Sequence, residues 1–179
     1  MEPSHIVFFL SFFFAGSLLA VEITAREESL VHLPDNFNRD RTIEFYQHII
    51  RANGSTSTLS ETPIGGGTPG RFGYAVVFDH KLTQGSDYFS KEVGRVRGAA
   101  VVSSLDGSQA HETFTVSLAG RNGALSCAGS FELRQPVTRV PIVGGTGEFY
   151  RMEGVYTSQV VHTSGANVIA RVQLTIRRD

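Results

Sequence analysis

The sequence holds a single cysteine, Cys127, so no disulfide forms within the chain. Tryptophan is absent, and charged residues make up only 18% of the 179 positions. The formal net charge is −1, which gives no reason to expect a nucleic acid or a strongly charged partner. No HExxH spacing occurs among the histidines and no cysteine cluster supports them, so no metal site is expected. There is no GxSxG elbow, and Cys127 lacks the surroundings of a nucleophile, which argues against a hydrolase. Gly65-Gly66-Gly67-Thr68-Pro69-Gly70 is followed by Arg71-Phe72 and a strand pattern. A phosphate loop would need Lys, then Ser or Thr, and a helix. No long stretch has helical spacing, and only one long run is predominantly apolar.

That run, Ile6 to Val21, is short for a membrane span and suits the core of a secretory leader. The reading places a signal peptide at 1–25, a polar N-terminal arm at 26–42 and one domain at 43–179. The competing account is an N-terminal membrane anchor, since no Lys or Arg precedes the run. Cleavage after Ala25 removes Glu2 and Glu22 and no basic residue, leaving a net charge of +1 and no membrane segment. A buried position is expected for Cys127 in a secreted protein. Asn53-Gly54-Ser55 is a glycosylation sequon in a polar stretch, with Asn53 as the acceptor.

What the chain does have is glycine, at 19 positions, with β-branched and aromatic residues between. In Thr113–Leu118, Phe114, Val116 and Leu118 alternate with Thr113, Thr115 and Ser117. In Val168–Arg177, Val168, Ala170, Val172, Leu174 and Ile176 share one face. A period of two marks strands with one apolar side. Further strand candidates are 43–50, 72–79, 93–103, 124–133, 139–143 and 150–162, separated by Gly-rich turns and the hairpin signal Leu105-Asp106-Gly107-Ser108. Eight such strands predict an all-β fold, an eight-stranded antiparallel β-barrel whose closure hides its edges and leaves room for one small ligand. A β-sandwich fits the same pattern. Glu132 and Arg139 fall in or near neighbouring strands. If both point inward they must pair, because an unpaired buried charge is costly; otherwise both are solvated.

Five segments in order resemble the plant dirigent family across 43–177. Phe45-Tyr46-Gln47-His48-Ile49-Ile50 is similar to its FYxHD strand, and Val76-Val77-Phe78-Asp79 with Leu82-Thr83 to its VVFDxxLT segment. Ser90–Gly98 resembles SKxVGRAQG, Ser104-Leu105-Asp106-Gly107 a common hairpin, and Val143–Phe149 the VGGTGxF hallmark. The resemblance implies a secreted, apoplastic barrel assembled as a homodimer or homotrimer. It implies phenolic guests, stereocontrol over the coupling of phenoxy radicals from monolignols in lignan formation, and radicals supplied by a separate laccase or peroxidase rather than by a cofactor. One alternative, motivated by Glu132, is an enzyme on the same barrel, a dehydratase or cyclase acting on an isoflavonoid-like or other phenolic substrate; a role in lignin deposition or defence is another. The family's pattern implies an inward acid at Glu132 with Arg139 beside it, and substrate contacts from Tyr46, Phe78 and Val102 in or beside the matched segments. Two departures stand out. Ile49 replaces the family's acid, and Ala99-Ala100-Val101-Val102 replaces aromatic wall residues.

Overall fold

The computed structural model describes residues 40–51, 58–59 and 70–178. The leader, most of the expected arm and the sequon at Asn53 lie outside them. Nine strands form one antiparallel sheet: β1 (Arg41–Ile50), β2 (Thr58–Leu59), β3 (Ala75–Thr83), β4 (Glu92–Val102), β5 (Gln109–Leu118), β6 (Leu125–Glu132), β7 (Val137–Gly145), β8 (Met152–Ser164) and β9 (Asn167–Arg178). The order runs β1-β9-β8-β7-β6-β5-β4-β3-β2, and β1 also pairs with β3 through Tyr46↔Thr83, Gln47↔Leu82 and His48↔Lys81. That pairing closes eight strands into a barrel and settles the choice against an open sandwich. β2, too short to read from sequence, adds two residues beside β3. The strand expected at 72–79 begins at Ala75 and runs on to Thr83.

Alternation fixes which side chains face inward. On β9, Val168, Ala170, Val172, Leu174 and Ile176 are buried, while their neighbours keep solvent contact. The same phase holds on β5 for Ala110, Phe114, Val116 and Leu118, and on β3 for Phe78, His80 and Leu82.

The two ends of the barrel differ. At one end the turns after β3, β5 and β7 close over Leu82, Leu118, Leu125, Met152, Leu174 and Ile176, all buried. Phe149, on the 3₁₀ turn Gly147–Phe149, is fully buried among them. That turn needs glycine. Gly147 sits at φ 58°, and a Cβ there would run into the backbone oxygen of Asn122. At the other end apolar residues remain on the inner face, among them the buried Val102 and Ala110, but six inward positions are small or polar: Gly98, Ala100, Glu112, Gly129, Thr138 and Ser158. All six retain partial exposure. The lumen is therefore packed solid at one end and open to solvent on its inner walls at the other.

Candidate functional site

The open half carries the barrel's inner polar groups. Tyr156 of β8 donates its hydroxyl proton to Gln47 Oε1 of β1 at 2.6 Å. Gln47 Nε2 then donates to His80 Nδ1 of β3, also at 2.6 Å. An amide nitrogen only donates, so His80 must accept at Nδ1, and its ring is neutral with the proton on Nε2. Burial pushes the His80 pKa down to about 4, assisted by the field of Arg51 and opposed by Asp79. Burial likewise raises the Tyr156 hydroxyl well above its ordinary value, with the nearby Glu112 charge adding to it.

Glu112 is the acid of this half. It stands two residues before Phe114 on the apolar side of β5, opposite Ala100 of β4 and Gly129 of β6. Neither neighbour offers a hydrogen bond from its side chain, and Glu112 has no hydrogen-bond or ion-pair partner among the described residues. Burial alone raises its pKa to about 7, so the carboxyl is close to half protonated at neutral pH. Its field also reaches Cys127, whose thiol is raised to about 12, first by burial and then by Glu112. Cys127 is buried on the inner wall, as expected, and is inert as a nucleophile at that pKa. Around these groups stand aromatic rings: Phe114 meets Tyr156 edge-on at 4.8 Å, and Phe78 stacks on His80 at 4.7 Å. A Cβ at position 98 would run into the backbone oxygen of Thr113 and the Cα and Cβ of Phe114, so Gly98 lets β4 and β5 approach closely here.

Of the residues expected at the site, Phe78 and Val102 are buried on the inner face. The others are not. Glu132 follows the inward Phe131, so it points outward. It pairs across the sheet with Gln109, is exposed, and accepts a hydrogen bond from Gln135 at 3.0 Å. Arg139 precedes the inward Val140 and is exposed opposite Thr157. The inward Glu132–Arg139 pair is therefore corrected: both stand on the outer surface, one residue out of phase with the lumen. Tyr46 alternates with Phe45 and Gln47 and also lies on the outer face, beside His48 and Thr83, which bond at 2.6 Å. The residues missed were Glu112 and the Tyr156–Gln47–His80 chain. Glu112 was within reach of the sequence, because the alternation of Phe114, Val116 and Leu118 continued two positions back places it on their face. Among the described residues, no group of three or more His, Cys, Asp or Glu is placed to hold a metal.

The chain is thus a closed antiparallel barrel with one plugged end, and an acid and aromatic rings toward the other. The family model for dirigent-like protein matches residues 41–177, and the chain belongs to the dirigent family. It is 32% identical over 128 residues to Dirigent protein 14 of Arabidopsis thaliana, covering 70% of this chain and 68% of the relative. It spans 44% of the length of two longer Arabidopsis dirigent relatives. In fold it is similar to two pterocarpan synthase dirigent proteins. One superposes with a TM-score of 0.70 at 20% identity, covering 80% of this chain and 97% of the other. The second gives 0.69 at 21% identity, covering 79% and 86%.

Proposed function

We propose that the chain is a dirigent protein that holds phenolic intermediates in the open half of its lumen and directs which bond they form. The observation that carries the reading is Glu112: a carboxyl with no partner among the described residues, its pKa raised by burial to about 7, on the inner wall of a barrel end that keeps solvent contact. In coupling of monolignol radicals, two phenoxy radicals made by a separate laccase or peroxidase join their unpaired electrons into one carbon–carbon bond. Each half of the dimer is then a quinone methide. Ring closure needs a side-chain hydroxyl to attack the electrophilic carbon, lose its proton, and leave a proton on the ring oxygen. A carboxyl with a pKa near 7 both gives and takes that proton, and ends the cycle as it began. Selection between competing faces needs little energy, since about 1.4 kcal/mol between two transition states changes a product ratio tenfold.

A second reading is dehydrative ring closure on an isoflavonoid-like alcohol. It is favoured by there being one acid on the inner face of the described strands, and it agrees with what the two neighbouring folds are named for. Here protonated Glu112 gives its proton to a leaving hydroxyl, water departs, and an internal phenol adds to the carbon left behind. The new bond's proton returns to the carboxylate. Secretion to the apoplast and assembly as a homodimer or homotrimer belong to the same proposal, on the strength of the leader pattern and the family.

The test is product chemistry. Coniferyl alcohol with a laccase and saturating protein is expected to give one enantiomer in excess, and Glu112→Gln to leave coupling intact but slow closure about 10²-fold or more. A racemic product together with turnover of an isoflavanol would select the second reading. Racemic product and no turnover of either would overturn both.

A further inference from the structure

Several charges on the outside of this barrel are paired. Asp79 bonds Arg95 at 2.6 Å and Arg97 at 3.1 Å, Glu148 bonds Arg121 at 2.9 Å, and Glu153 bonds Arg177 at 2.6 Å. The inside follows a different rule. In the open half no Lys or Arg lies on the inner face of a described strand. Arg41 and Arg178 continue the inward phase only at the far ends of β1 and β9, beyond the sealed end, where both are exposed. The family's lumen arginine position, Arg139, faces out. The one carboxyl there, Glu112, is flanked by Ala100 and Gly129 and has aromatic rings nearby, Phe114 on its own strand and Tyr156 across the lumen. We propose that the open half of the lumen selects guests by charge. It admits neutral phenols, holds phenols bearing an ammonium group more tightly, and excludes phenols bearing a carboxylate. This rests on the reading that phenols enter this lumen, and it adds a ligand class to that reading.

Three physical points lead there. An ammonium group supplies the counter-charge and the hydrogen-bond donors that Glu112 lacks, so its carboxylate gains a partner without a protein group having to move. Aromatic faces near the carboxylate add attraction for a cation. A guest carboxylate would bring a second negative charge to a wall with no cation to answer it, and like charges in a partly desolvated site repel strongly. Arg51 is the nearest basic group that the inner network feels, and it is exposed, where water and salt screen it. The titratable groups facing Glu112 are Cys127 of β6 and Tyr156 of β8; β4 faces it with Ala100, and His80 of β3 lies beyond. All three titratable groups are neutral between pH 5.5 and 8, given their shifts. Glu112 alone changes charge across that interval.

A matched series tests this: tyramine, tyrosol and 4-hydroxyphenylacetate share one phenol ring and differ in the group at the end of a short side chain. Binding is read by calorimetry at pH 5.5 and pH 8 on the full-length protein and on Glu112→Gln, whose fold is checked by circular dichroism and melting. At pH 8 tyramine is expected to bind about tenfold more tightly than tyrosol, and the acid at least about tenfold more weakly. At pH 5.5, with Glu112 protonated, the spread should narrow to about threefold. Glu112→Gln should give that narrow spread at both pH values. The pH arm needs no variant, so a misfolded substitution does not blunt the test. Equal binding of acid and alcohol at pH 8 would overturn the proposal, as would a ranking that survives in Glu112→Gln. Tyrosol binding with no preference for tyramine sinks the charge selection but leaves the phenol-binding reading intact. Failure of all three to bind sinks both.

Discussion

The sealed and open halves of this barrel are made from the same strands, yet they do different work. On β5 the inner face runs from Glu112 through Phe114 and Val116 to Leu118 in about 20 Å. Along that distance it passes from a half-protonated acid with solvent contact to a side chain that water does not reach. Leu118, Leu125, Phe149, Met152, Leu174 and Ile176 fill their end by burial, and each large apolar side chain hidden there contributes roughly 1.5–3 kcal/mol. Ala100, Gly129, Thr138 and Ser158 at the other end give up that contribution and leave room for a guest. The difference assigns most of the buried apolar area to one end and, on the proposed reading, the guest to the other, and each can be perturbed alone.

Phe149→Ala makes the sharpest break. It empties the plug of the sealed end and should cost about 3–5 kcal/mol in chemical denaturation. Its mirror image is Ala100→Phe, which puts a ring into the open end beside Glu112. There the melting free energy should fall by less than in Phe149→Ala, about 1–2 kcal/mol, since Ala100 is only half-buried at the margin of the core, while phenol affinity falls about tenfold or more. If Ala100→Phe destabilises as much as Phe149→Ala, the open end is packed like the other and the division fails.

That division was partly legible in the sequence. The clean alternation in 113–118 and 168–177, with turn signals between eight candidates, carries the antiparallel strands, because a period of two has one structural meaning; closure into a barrel rather than a sandwich rests on the β1–β3 pairing. The lumen acid was harder. Around Glu132 the stretch Ser126-Cys127-Ala128-Gly129-Ser130 mixes small and polar residues on both faces, so its phase cannot be read locally, and the family pattern supplied the wrong face. The Tyr156–Gln47–His80 chain joins three strands that are distant in sequence, and only the register of the closed barrel brings those side chains together. Small residues carry no pattern either. Gly98 and Gly129 reveal their purpose only beside Phe114 and Glu112.

A second way to sharpen the comparison is to titrate it. Glu112 has a folded pKa of about 7 against an ordinary 4.5, so the folded state binds the extra proton between those values. Its contribution is present below pH 4.5 and is lost as pH rises through 7, to the order of 2–3 kcal/mol. His80 is shifted the other way, to about 4 from 6.5. Its contribution is present above pH 6.5 and is lost as pH falls through 4, by a similar amount. Between pH 4.5 and 6.5 the two slopes oppose each other, and the wild-type profile should be nearly flat there. Glu112→Gln removes one slope, so its stability should climb with pH across that window and exceed wild type above pH 7. Urea titrations at half-unit steps will show this. Parallel profiles for the two proteins would mean that Glu112 is paired or well solvated.

The smallest effect is expected where the family pattern first pointed. Glu132 and Arg139 are both exposed on the outer wall, and the recorded partner of Glu132 is Gln135 three residues on in the same turn. An exposed hydrogen bond of that kind contributes little, because water replaces it at almost no cost. Glu132→Gln and Arg139→Gln should each change stability by no more than about 0.5 kcal/mol and leave product handedness unaltered. Strand phase separates Glu132 from Glu112, since the two side chains are chemically alike. The pair of glutamates is therefore a control on the register itself: Glu132→Gln silent and Glu112→Gln disabling is the outcome the barrel requires. Loss of stereocontrol in Glu132→Gln, with Glu112→Gln unaffected, would mean that β6 sits one residue out of register and that the inner wall has been drawn from the wrong face.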